Sequence, residues 1–336
     1  MSYKPKMARL MRRLLIGTTL AATAISLPLM TSTVMAQEDF PTRPIRVIVP
    51  FGPGGLADVT VRLAGEKMSE ILGQQIVVEN HPGAGGVAAA EQLLRSEPDG
   101  HTLIVMSNGT TIATSLFTEL SYDPQSQFTP ISTVAWFDLV LFSNPDTDID
   151  SVEALLAKAE ADPGSINIGT VNPGSSQNLA AELFRSVTNM EANIIPYRTS
   201  PDVMAALIRG DLDIAVESYT AFASAIEGGQ VRAIAVTGLD RNPALPQVPT
   251  AAEAGVENYD VTGWNALYAL DGTPDAIIDA LHEAVATATE MPEIVQKFAD
   301  LGTIARSTTP EEMADRFEVD RQKWAEVIDS AGIETQ

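Results

Sequence analysis

Short apolar runs alternate with longer stretches in which apolar residues recur at helical spacing. Runs at 45–49, 76–79, 102–106, 139–142, 166–170, 193–196, 212–216 and 231–237 predict strands. The stretches 56–72, 86–95, 151–161, 176–188, 201–209 and 220–228 predict helices. In the first of these, Leu56, Val59, Leu63, Ile71 and Leu72 can share one face. Ser151 reads as an N-cap with Glu153 in the first turn, and Pro163-Gly164 ends that helix. Strand–helix alternation of this kind predicts an α/β protein built on parallel sheets. From Thr273 onward the pattern is helical, over 274–289, 291–302 and 309–331, broken by Pro292, Gly302 and Pro310. This tail is expected to pack back over the first part of the chain. Residues 143–148 (Ser-Asn-Pro-Asp-Thr-Asp) read as a loop just beyond one crossing between two lobes. Val261 to Leu270, with Trp264, reads as the return crossing. The expected division is a leader at 1–36, a first lobe at 37–138, a second at 139–260, and the return crossing and C-terminal helices at 261–336.

Two segments share one construction. The run Ile45–Val49 ends in Pro50-Phe51-Gly52-Pro53-Gly54-Gly55 and a helix opens at Leu56; the run Ile166–Val171 ends in Asn172-Pro173-Gly174-Ser175-Ser176 and a helix continues from Gln177. Strand, tight glycine loop and helix N-terminus together aim unpaired backbone N–H groups and the positive end of the helix dipole above the loop. Gly52, Gly54 and Gly55 allow close backbone approach. Asp58, in the first turn, reads either as a capping carboxylate or as a partner for a ligand's cationic or hydroxyl group. The second loop adds Thr170, Ser175, Ser176 and Asn178 as short polar groups, one of the serines being the N-cap. Ser107-Asn108-Gly109-Thr110 follows strand 102–106 and faces the same edge. His81-Pro82-Gly83-Ala84-Gly85-Gly86 reads either as a structural turn or as a further lining of the same cleft. Neither glycine loop matches a nucleotide-binding fingerprint.

Catalytic and metal chemistry find little support. The three histidines, His81, His101 and His282, show no metal-ligand spacing, and the Ser175 region is not a Gly-x-Ser-x-Gly elbow. Asp146, Asp148 and Asp150 alternate like the start of a calcium loop but lack its glycine and distal glutamate. The chain has no cysteine, which excludes thiol catalysis and a disulfide framework. No cofactor is expected.

Charge then narrows the partners. Lys4, Lys6, Arg9, Arg12 and Arg13 precede an apolar run from Leu14 to Met30, with small residues at Val34-Met35-Ala36; this reads as a secretory signal peptide. Its removal takes five basic and no acidic residues, moving the formal charge from −23 to −28 over the remaining 300 residues. So acidic a chain is a poor partner for nucleic acid and for anionic membranes. The cradles must therefore hold an anion locally. Surface charge is screened over about 8 Å at physiological salt. Four to six charge-assisted hydrogen bonds supply roughly 6–18 kcal/mol before ordering and desolvation costs, against about 8 for micromolar affinity.

Several motifs carry a family resemblance across the mature chain. Pro50–Asp58 resembles Pro-Phe-x-x-Gly-Gly-x-x-Asp, Asn80–Gly86 resembles Asn-Arg-Pro-Gly-Ala-Gly-Gly, and Pro98–Leu103 resembles Pro-Asp-Gly-Tyr-Thr-Leu. Pro196-Tyr197-Arg198, Ala235-Val236-Thr237, Pro246–Thr250 with Glu253-Ala254-Gly255, and Gly272-Thr273-Pro274 continue the series. They are similar to the periplasmic solute receptors of tripartite tricarboxylate transporters, the Bug family. The resemblance implies a two-lobed periplasmic binding protein fold (type II), each lobe a doubly wound, mostly parallel sheet. It implies a monomeric periplasmic receptor, not an enzyme, that closes on a small di- or tricarboxylate and delivers it to the permease subunits. A sensor for a membrane kinase, or a secreted serine hydrolase using Ser175 or Ser176, are the alternative readings. By resemblance Phe51 packs against the ligand, while Gly52, Gly54, Gly55, Gly174, Ser175, Ser176 and Gln177 form the clasping loops. Asp58, Ser107, Asn108, Thr170 and Asn178 join them as site residues, and Arg198 and Glu217 line the second-lobe side. Two departures stand out: Asn178 where the family usually has His, and Pro53 where a small residue is common. Pro53 removes one possible N–H donor.

Overall fold

The computed structural model describes residues 40–83, 86–171 and 175–335. The expected leader and Gly174 lie outside the described residues. The chain begins β1 (Ile45–Val49), α1 (Leu56–Leu72), β2 (Ile76–Asn80), α2 (Val87–Leu94), β3 (Thr102–Ser107) and α3 (Asn108–Leu116). A short α4 (Pro124–Gln127) leads into a long β4 (Phe128–Ser143). Then follow α5 (Val152–Ala161), β5 (Ile166–Val171), α6 (Ser176–Thr188), β6 (Ala192–Tyr197), α7 (Ser200–Arg209), β7 (Ile214–Ser218), α8 (Tyr219–Glu227) and β8 (Arg232–Val236). The chain closes with β9 (Thr262–Leu270), α9 (Asp275–Glu290), α10 (Pro292–Asp300), β10 (Thr303–Ala305) and α11 (Pro310–Ala331).

The strands form two halves that share β4. In the first, β1 lies parallel between β2 and β3, β9 runs antiparallel between β3 and β4, and β10 pairs the other edge of β4. In the second, β5 lies parallel between β6 and β7, while β7 and β8 flank the end of β4 antiparallel to it. The sheets are therefore mixed where mostly parallel sheets were expected. Each half keeps three parallel strands, and the antiparallel pairs arise where strands pass between halves. Because β4 leaves the first half and β9 re-enters it, the two run in opposite directions.

Helices cover both faces of each half. On the first half, Val61, Ala64 and Met68 of α1 pack with Ile278, Leu281 and Val285 of α9 and Phe298 of α10. Its other face takes Ala89 and Leu93 of α2. In the second half β4 alternates: Leu139 and Leu141 face the cluster of α5 and α6, and Val140 and Phe142 face that of α7 and α8. The tail was expected over the first lobe, and α9 and α10 lie there. Helix α11 instead reaches both halves. Its Met313 and Phe317 join the first-half core, and its Trp324, Val327 and Ile328 join the second. At 22 residues it is about 33 Å long, enough to span the two. Between these anchors Asp320 is fully buried, accepting from Trp264 Nε1 (2.7 Å) and Arg316 Nε (2.9 Å), with Lys323 Nζ 3.0 Å away.

Candidate functional site

The parallel strands of each half deliver their C-terminal ends to a helix N-terminus: β1 to α1, β3 to α3, β5 to α6, β6 to α7 and β7 to α8. A hydrogen bond from Asn108 Nδ2 to Ser176 Oγ (3.2 Å) joins the β3–α3 junction to the β5–α6 junction. The two strand-end edges of the halves therefore face each other, and the space above this contact is where ligands sit in open α/β sheets.

In the first loop the backbone turns at Gly54 with φ +80°, a conformation that favours glycine. Asp58 explains how the turn is held. It is 3% exposed, its Oδ2 accepts the Gly54 N–H (2.8 Å), and its Oδ1 accepts from Arg62 Nε and Asn80 Nδ2, both at 2.9 Å. Burial disfavours the charged form, but these hydrogen bonds outweigh it and hold the carboxyl below the usual carboxylate range. Asn80 Nδ2 also donates to the Phe51 carbonyl (3.0 Å). Asp58 supports the loop, and the Gly54 N–H is engaged with it. The donors this loop offers are the first N–H groups of α1, whose N-cap, Gly55, supplies no side-chain cap. Phe51, 38% exposed, and Gly52 stand at the surface of the same loop.

Ser107 caps α3: its Oγ accepts from Gly109 N (3.1 Å), while Thr110 Oγ1 accepts from Ser107 N (3.2 Å). It is buried and locally engaged, whereas Asn108 beside it reaches across to Ser176.

In the second loop Ser175 is the N-cap, its Oγ accepting from Asn178 N at 3.1 Å. The Ser176 and Gln177 N–H groups ahead of it have no partner among the described residues. Thr170 is buried and donates to the Val171 carbonyl, and Asn178, also buried, reaches Thr170 Oγ1 at 3.5 Å. Asn178 thus lies against β5. Glu217, 1% exposed, receives Gln177 Nε2 (2.9 Å), Ser200 Oγ (2.6 Å) and Ser218 N (2.8 Å). It ties the first turns of α6 and α7 to the end of β7. Arg198, just past β6, is exposed and has no hydrogen bond or ion pair among the described residues.

Arg62, Asn80 and Ser200 were not singled out as supporting residues. Asn80 carried a signal, since it opens the Asn-His-Pro-Gly turn, but its target Asp58, 22 positions earlier, could not be read from spacing. Among the described residues no group of His, Cys, Asp and Glu side chains is placed to hold a metal ion. None of their helices is long and apolar enough to cross a membrane.

The family model described as the tripartite tricarboxylate transporter family receptor (TctC) matches residues 60–333. Protein BugT of Bordetella pertussis is 34% identical, over 96% of this chain and 98% of that protein. MatC of Rhodopseudomonas palustris, solved with bound malate, is 30% identical, with a TM-score of 0.70 over 86% of this chain and 100% of its own. Another R. palustris protein, solved with adipate, is 31% identical, with a TM-score of 0.74 over 88% of this chain and 99% of its own. The chain belongs to the tripartite tricarboxylate transporter receptor family, the Bug-type periplasmic solute-binding proteins, and has their two-lobed fold.

Proposed function

We propose that this receptor is exported by cleavage of residues 1–36, binds a small dicarboxylate between lobes 37–138 and 139–260, and delivers it to a membrane permease of the tripartite type. Residues 261–336 return the chain and fasten both lobes. The observation that carries this reading is the pair of helix N-termini, α1 and α6, presented by facing strand ends with first-turn N–H groups unengaged among the described residues, and the exposed Arg198 just past the neighbouring strand β6. Such termini suit carboxylates because N–H donors and dipole act together. One carboxylate per half favours a dianion, and the malate and adipate of the two relatives are both diacids. Binding without reaction is favoured over hydrolysis. Ser175 Oγ is engaged with Asn178 N and Val171 O, Ser176 Oγ with Asn108, and neither pairs with a histidine or carboxylate among the described residues.

A thermal-shift screen of mono-, di- and tricarboxylates on the purified protein tests this. Four- to six-carbon diacids should raise Tm most, and Arg198→Ala should weaken diacid binding about tenfold with little change in ligand-free Tm. Equal shifts from acetate-like monoacids would sink the dianion assignment. Consumption of the stabilising ligand would sink the receptor reading.

A further inference from the structure

Strand β4 changes partners between two consecutive residues: Asp138 pairs with Thr262 of β9, and Leu139 pairs with Ser218 of β7. The other crossings lie alongside. Thr237 N donates to the Leu139 carbonyl and Val261 N donates to the Thr237 carbonyl, both at 2.9 Å. Three acidic residues sit on these segments: Asp138 on β4, Asp240 just past β8, and Asp260 just before β9. Asp138 is 7% exposed and makes no hydrogen bond or ion pair among the described residues. Gly238 lies directly against its carboxyl, so closely that a Cβ there would collide with it.

The cations nearby are committed elsewhere. Arg306, beyond β10, pairs with Asp240 (3.3 Å), and Arg316 of α11 faces Asp260 (3.8 Å) and bonds Asp320. Both guanidinium groups lie over the Trp136 ring, at 5.6 and 5.3 Å. Lys323 of α11 donates to the Asp260 carbonyl and pairs with Asp320. Asp138 is therefore a buried, unpartnered carboxyl facing two other acids, at the place where the chain passes from one lobe to the other.

We propose that Asp138 is a proton-binding residue of the interlobe crossing, taking up a proton as the lobes close on ligand and releasing it as they open. The proposal rests on the carboxylate-receptor reading. Burial, then the charges of Asp260 and Asp240, push the Asp138 carboxyl up to about 7 in this structure, with Arg306 pulling the other way. Opening admits water between the crossing segments and lowers the group, which keeps part of its upward shift because Asp240 and Asp260 lie on the same crossing segments. The closed form then binds the proton more tightly, so ligand affinity falls as pH rises through 7.

The test is the affinity for malate, a dianion across the range, from about pH 6 to about pH 8, together with ligand-free melting curves. The wild-type protein should lose affinity about three- to tenfold over this interval. Asp138→Asn should be flat, and Asp240→Asn, at an exposed position, should move the midpoint to lower pH by removing a like charge. The ligand-free wild type should also lose Tm from pH 6 to 8 relative to Asp138→Asn, because a raised carboxyl pKa makes the folded state less stable as the proton leaves. A folded Asp138→Asn variant with the wild-type pH profile overturns the proposal. So does an unmoved midpoint in Asp240→Asn, which decides the matter if Asp138→Asn fails to fold. If malate and other carboxylates bind at no pH, the receptor reading falls; wild-type and Asp138→Asn melting curves of identical pH dependence then overturn the proton site on their own.

Discussion

Asp58 shows how a single side chain turns a flexible glycine loop into a shaped one. Three donors, from Gly54, Arg62 and Asn80, converge on its buried carboxylate. Hydrogen bonds to charged groups contribute about 1.5–3 kcal/mol. Asp58→Ala is therefore expected to lower stability by about 2–3 kcal/mol at neutral pH in denaturant unfolding, and to weaken diacid binding by loosening the turn at Gly54. The sign with pH follows from the depressed carboxyl. Its contribution is present above about pH 4 and disappears as pH falls through the lower folded value, so wild type and variant should converge in acid. Parallel curves down to strong acid would show that the charge is not what holds the loop. At this scale the sequence was half legible. That Asp58 sat in a first turn was plain from its spacing, but the convergence of Gly54, Arg62 and Asn80 on it was visible only in the fold.

At the scale of elements, periodicity worked where breaks were clean. Helices 56–72 and 176–188 and the strand 45–49 have the bounds read from the sequence, because glycine or serine loops punctuate them. Helix α3 was missed because Ser107-Asn108-Gly109-Thr110 looks like a turn; it is a capping box in which Thr110 replaces the usual acidic partner. The first half of β4 was missed because Pro130 and the polar Ser132 and Thr133 interrupt its apolar run, and these two side chains bond the chain around residues 306–308. Helix α11 was placed correctly in sequence, but its span was not. Its burial of Asp320 among Trp264, Arg316 and Lys323 is a long-range arrangement that no local spacing announces. Removing that carboxylate leaves two cations and an indole N–H without their partner. Asp320→Ala should cost about 3 kcal/mol or more, and Arg316→Met in the same background should recover part of it. A loss below about 1 kcal/mol in urea unfolding would show that α11 is held by its apolar anchors alone.

For the whole molecule, acidity is the dominant fact. The full chain carries 44 acidic and 21 basic residues, and most of the described cations are already paired with acids across or along elements. The remaining negative charge repels itself in the compact state. Tm should therefore rise as salt goes from low to molar concentration, with sodium chloride sufficing because the effect is screening. A salt-independent Tm would mean that the surface charges are already balanced locally. The shared strand β4 has a consequence in time. A chain made from its N-terminus presents β3 with a bare edge, and that edge waits for β9, while β4 waits for β10 and for the last turns of α11. No half can finish alone, since each lacks a strand or an anchor that comes far later in the sequence. Non-local pairing of this kind slows folding. A chain in which α11 has not yet formed is thus open at both lobes, and that helix closes them together.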